Sequence, residues 1–143
     1  MGRALPWALG ALAVLSLVAG LALRRLYPPL HAVASLGPDG AHPLWHVSRS
    51  TDASVLTVQA LQAVPGDAQH AYELWALPHG RALRVSLGIM PRLGQIERQL
   101  TLVQRAALEG AGRFEVSLEP LGGSGSGQAT GPSVCAAEVA DAR

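Results

Sequence analysis

Two patterns of apolar and polar positions divide the chain. From Ala4 to Leu23, twenty residues run without a charge and place Leu and Val on every side, so no polar face separates from an apolar one. A helix of that length spans roughly 30 Å, the thickness of a bilayer's hydrocarbon core. Trp7 and Tyr27 stand near its ends, where aromatic rings settle at the interface, and Pro28-Pro29 denies it continuation. The pattern predicts one transmembrane helix over residues 4–23, between a stub of residues 1–3 and a juxtamembrane linker of residues 24–31. A cleaved signal peptide also begins with a basic residue, but its apolar region is typically about 7–15 residues, followed by a small-residue cleavage site. A buried core helix fits less well still, because it would show one polar face.

Beyond the prolines the pattern shortens to β-like runs between turn residues. Candidate strands are Leu44–Ser48, Ser54–Leu61, Ala71–Leu77, Leu83–Ile89, Arg98–Val103, Arg113–Leu118 and, more weakly, Ala136–Val139. Apolar residues recur at period two in 54–61 and 113–118, which puts one face in a core and one in water. Gly37-Pro38-Asp39-Gly40, Pro65-Gly66-Asp67, Pro78-His79-Gly80 and the Gly/Ser tract from Gly122 favour turns. The body, residues 32–143, is expected to be mainly β: an antiparallel β-sandwich of about seven strands. Residues 93–108 also fit a helical face; Gly94 and Thr101 favour a strand over 98–103, then one or two helical turns ending at Gly110.

Composition narrows the chemistry. All eleven basic residues are Arg, and Lys and Asn are absent. This excludes a Walker A loop, a Schiff-base lysine and N-linked glycan acceptors. A single cysteine, Cys135, excludes an internal disulfide and a CxxC pair; it reads as a small buried hydrophobe or as a lone thiol able to cross-link two chains. Arg3, Arg24 and Arg25 bracket the apolar run, leaving eight Arg against all ten acids over residues 26–143, a net charge of −2. Such a body lacks the basic footprint that binds phosphate backbones, so nucleic acid is not an expected partner. The basic residues flanking the run nearly balance, and charge alone does not orient it.

Catalytic and metal patterns do not emerge. His42 and His46 have i, i+4 spacing, but Pro43 and the following strand pattern put them out of helical register, so no metal or other cofactor is expected. Gly123-Ser124-Gly125-Ser126-Gly127 has Gly where the serine of a nucleophile elbow would stand, and reads as a flexible loop. The chain is not expected to be an enzyme.

Three local patterns remain: Tyr72-Glu73-Leu74-Trp75 followed by Ser86-Leu87-Gly88; Val116-Ser117-Leu118-Glu119-Pro120-Leu121-Gly122-Gly123-Ser124; and Thr130-Gly131-Pro132. Read physically, Trp75 offers a large anchor for the sandwich interior, with an indole N–H that needs a partner. Pro120 donates no ladder hydrogen bond and holds Glu119 extended at a strand end. Gly122, Gly123 and Thr130-Gly131-Pro132 permit tight corners. These residues read as conformational signatures first, with a pocket around Glu119 as the alternative.

In order and spacing the series resembles the extracytoplasmic domain of the RskA-type, or anti-sigma-K, family of membrane-anchored anti-sigma factors, over about residues 30–132. The resemblance implies a single-pass protein of the bacterial inner membrane, amino terminus cytoplasmic and body extracytoplasmic, acting in transmembrane control of a sigma factor and hence of transcription. It further implies that the folded body shields residues 27–31 from a site-one protease. As motif residues, structural or partner-binding, it designates Glu73, Leu74, Trp75, Ser86, Leu87, Gly88, Ser117, Glu119, Pro120, Gly122, Gly123, Ser124, Thr130, Gly131 and Pro132. Expected partners are membrane lipid through residues 4–23, a site-one protease and, given a longer amino terminus, a sigma factor. Only Met1–Arg3 precede the apolar run, where the family places its sigma-binding domain. The tail from Ser133 departs from the family's final strand. A membrane-tethered binding module without sigma contact is the alternative reading, and a secreted enzyme the third.

Overall fold

The computed structural model describes residues 13–22, 29–80 and 83–139. Residues 13–22 are helical and exposed. Positions 4–12 and 23 of the expected span, the stub 1–3 and linker residues 24–28 lie outside the described residues. Among the described residues no helix is long and apolar enough to cross a membrane.

Among the described residues the body forms eight strands: β1 (Leu30–Leu36), β2 (Trp45–Ser50), β3 (Val55–Ala60), β4 (His70–Pro78), β5 (Val85–Ile89), β6 (Gln95–Gln99), β7 (Ala111–Pro120) and β8 (Ser133–Glu138). They make two four-stranded antiparallel sheets, ordered β1-β2-β3-β6 and β5-β4-β7-β8. Leu36, Trp45, Val47, Leu56 and Val58 of the first sheet share one buried cluster with Leu74, Ala76, Leu87, Phe114 and Val116 of the second. Period-two alternation is the cause, since it turns one face of each sheet toward the other. The Trp45 ring meets the Tyr72 ring edge-on at 5.1 Å, and its indole N–H reaches the Pro91 carbonyl at 2.7 Å. The sheets are therefore layered as a sandwich, with β1 beside β8 on one flank and β6 beside β5 on the other.

Four expectations are corrected. The described residues hold eight strands, not about seven, because Leu30–Leu36 is a strand. Its alternation is broken by a bulge between Ala32 and Ala34, which hides the period. The strand expected over 98–103 lies at 95–99, and a helix over Leu102–Glu109 follows. Thr101 sets this boundary with a capping box: Gln104 N–H donates to its hydroxyl and its own N–H donates to the Gln104 side-chain oxygen at 3.0 Å. Gly110 caps the helix, donating to Ala106 O at 3.1 Å. The tail departing from the family pattern nevertheless makes a final strand, β8, paired with β7. Finally, Trp75 is not in the interior between the sheets. Leu74 and Ala76 occupy that face, so the pleat sends Trp75 to the opposite one, where it is still fully buried.

Candidate functional site

The outward face of the second sheet carries Glu73 and Trp75 on β4, Ser86 on β5, and Glu115, Ser117 and Glu119 on β7. A sheet face bearing three carboxylates is normally wet, yet Glu73, Trp75, Glu115, Ser117 and Glu119 are all buried. The cover is the segment 121–132, which leaves the end of β7, folds back over the face and returns as β8. Gly122 and Gly123 turn it there with φ of +96° and +90°, a region L side chains avoid. A Cβ on Gly123 would stand 2.8 Å from Ile89 Cδ1 and 2.9 Å from Glu73 Oε2, so the backbone approaches closer than any side chain allows. Leu118 N–H donates to Pro132 O at 3.0 Å, and a Cβ on Gly131 would collide with the Leu118 carbonyl.

Hydrogen bonds fasten the segment at two carboxylates. Glu73 accepts from the Ser86 hydroxyl and, at 2.7 Å, from Ser124 N–H. Glu119, 0% exposed, accepts from the Ser117 hydroxyl at 2.5 Å, from Thr130 N–H at 3.0 Å, from Gly131 N–H at 3.1 Å and from the Thr130 hydroxyl. The Trp75 indole N–H donates to Ser117 Oγ at 2.8 Å, joining the ring to the same network. Burial pushes the Glu119 carboxyl up, but the donors from Ser117, Thr130 and Gly131 outweigh it and hold the group below the usual carboxylate value.

The three motifs separated in sequence thus meet in one place. Glu73 bonds Ser86 and Ser124, and on the same face Trp75, Ser117, Glu119, Thr130 and Gly131 form a second bonded set, while Gly122, Gly123, Pro120 and Pro132 shape the segment's two ends. Leu74 and Leu87 point the other way, into the core. Gly88, with φ of +99°, serves a residue that spacing does not reveal: the space a Cβ would take is filled by the Arg98 guanidinium. Arg98 reaches from β6 to donate to Leu87 O and, at 2.9 Å, to Ile89 O, close enough to Glu73 to feel its charge. Gln104 adds a bond to Ser86 O at 2.9 Å, and Arg84 pairs with Glu115 at 3.1 Å. Nothing in the spacing of Arg84, Arg98 or Gln104 marks these contacts, because their partners are distant in sequence and three of those are backbone carbonyls.

The network offers hydrogen-bond saturation, not a reactive group. Every carboxylate oxygen of Glu73 and Glu119 accepts a donor. Cys135, half-buried on β8, has its thiol pushed up to about 11 by burial and by the charge of Glu115, which leaves it protonated near neutrality. Among the described residues no group of three or more His, Cys, Asp and Glu could hold a metal ion. His42 bonds Asp39 at 3.1 Å in the β1–β2 turn, whereas His46 lies on β2 beside Ser35. A cleft of about 460 Å³ opens where β1 meets β8, with His31, Arg49 and His79 facing Glu109 and Glu138.

No curated protein and no solved structure matches the chain. The family model described as anti-sigma-K factor rskA, C-terminal, matches residues 7–133, from the apolar run through the clasped segment, and the chain belongs to that family.

Proposed function

We propose that this chain is a membrane-anchored regulator of the anti-sigma class, whose sandwich stands outside the bacterial inner membrane and takes part in controlling a sigma factor. The family match carries the reading, because it spans most of the uncharged run as well as the β domain. Residues 4–23 anchor the chain in lipid, with the amino terminus in the cytoplasm. The sandwich shields the juxtamembrane stretch from a site-one protease. Pairing supports that last step: Leu30 and His31 are already strand residues, opposite Ser50 and Arg49, so a protease reaches them only after β1 leaves the sheet. The partner implied for the whole regulator is a sigma factor, and its output is transcription. A reporter enzyme fused after Arg143 tests the arrangement: activity confined to the extracytoplasmic side is expected, and a cytoplasmic carboxyl terminus overturns the reading.

A further inference from the structure

One end of the sandwich carries apolar side chains that the core does not use. At this end β1 starts, β2 finishes, the β4–β5 turn lies and the 102–109 helix crosses toward β7. The helix turns Ala107 and Leu108 into the core and Leu102 and Val103 outward, with Leu102 81% exposed. Leu83, 66% exposed, projects from the β4–β5 turn, and Leu30 from the start of β1. Three separate elements thus present large aliphatic groups at one tip. The opposite tip also exposes leucines, Leu61, Leu93 and Leu121, so exposure alone does not choose between the two.

The tether chooses. Six residues lie between Leu23, the last of the apolar run, and Leu30, and the seven Cα-to-Cα steps of extended chain cover at most about 25 Å. Leu30 stands three residues after Tyr27, within about 11 Å of it. We propose that the tip bearing Leu30, Leu83, Leu102 and Val103 rests in the headgroup layer of the bilayer that holds residues 4–23. The inference rests on the anchoring stated under Proposed function. A short tether keeps the local concentration of bilayer around this tip high, so a contact too weak to recruit a free domain suffices to orient a tethered one. Among the described residues charge is balanced here: Arg49, Arg84, Arg105 and Arg113 share this end with Asp52, Glu109, Glu115 and Glu138. Aliphatic insertion therefore holds the tip, and zwitterionic lipid serves as well as anionic lipid.

The test uses the full chain in phosphatidylcholine vesicles, with Cys135→Ala removing the native thiol. Leu83→Cys, Leu102→Cys, Leu93→Cys and Leu121→Cys each carry a nitroxide, and collisions are read with lipid-soluble oxygen and a water-soluble nickel chelate. The expected result is loss of nickel collision and gain of oxygen collision at 83 and 102, relative to 93 and 121. Added phosphatidylglycerol leaves this difference unchanged. Four equally water-exposed probes on a chain that still floats with the vesicles overturn the docking alone. A contrast that develops only with phosphatidylglycerol overturns aliphatic insertion as its cause. A chain released from the vesicles by alkaline carbonate overturns the anchoring and the docking together.

Discussion

The outward faces of the two sheets meet opposite fates. On the first sheet, Ser35, His46, Gln59 and Glu97 look into solvent, and the Ser35 hydroxyl bonds the His46 ring at 3.2 Å across the strands. On the second, a Gly/Ser-rich segment lies over Glu73, Trp75, Ser117 and Glu119 and removes them from water. The same pleat generates both faces. The difference is that one has partners for its polar groups waiting in a covering loop. Such a cover is stable only if each buried carboxylate keeps its donors, because an orphaned buried polar group costs about 1–3 kcal/mol.

Replacing one residue on each face breaks the contrast most sharply. Trp75→Ala is expected to destabilise the domain by about 3–5 kcal/mol through the void it leaves. The exposed Gln59→Ala changes stability by no more than about 0.5 kcal/mol. Urea unfolding followed by far-ultraviolet circular dichroism measures both. Glu119→Ala should cost about 1–3 kcal/mol by stranding Ser117, Thr130 and Gly131. Hydrogen exchange then rises at the Thr130 and Gly131 amides before it rises in β2 and β3. Glu119→Gln keeps an acceptor and falls between that variant and the parent.

Acid probes the same fastening without a mutation. The folded-state value of Glu119 lies below its ordinary 4.5. Its contribution is therefore complete above the ordinary value and disappears as pH falls through the depressed one. Protection of the Thr130 and Gly131 amides, corrected for intrinsic exchange, should decline over that interval, and Glu119→Gln should abolish the decline. The first sheet supplies the converse case. Thr57 Oγ1 is buried with no hydrogen-bond partner among the described residues, so Thr57→Val is expected to be neutral or to stabilise by up to about 1 kcal/mol. The least effect belongs to Cys135. With its thiol near 11, alkylation at pH 8 should run far slower in the folded chain than in urea, with no change in stability.

The legible parts of this fold are those where one face decides everything. Residues 54–61 and 113–118 alternate cleanly, and they lie in β3 and β7, interior strands of their sheets. β6 reads Gln-Ile-Glu-Arg-Gln and sits at an edge, with Ile96 as its one apolar residue. The exposed Leu102 and Val103 drew the expected strand past the Thr101 cap. Trp75 misled for a related reason. A large ring is usually sought in the main core, and period two cannot say that a segment fifty residues downstream will cover the second face. The motif residues were legible as a series, but their convergence was not: Glu73 and Ser124 are 51 residues apart and meet only because the segment after β7 folds back across β4.

Arg98 gives the sandwich a spine. It bolts β6 to the carbonyls of β5, so the two layers are joined along that margin like the boards of a bound book. Along the opposite margin β1 and β8 lie side by side, and no hydrogen bond joins them among the described residues; the 460 Å³ cleft gapes there instead. β1 is also the first strand after the amino-terminal helical stretch in the chain. Tension entering through that stretch would pull on the unbound fore-edge and leave the spine untouched, and the pages would part from the side nearest the pull.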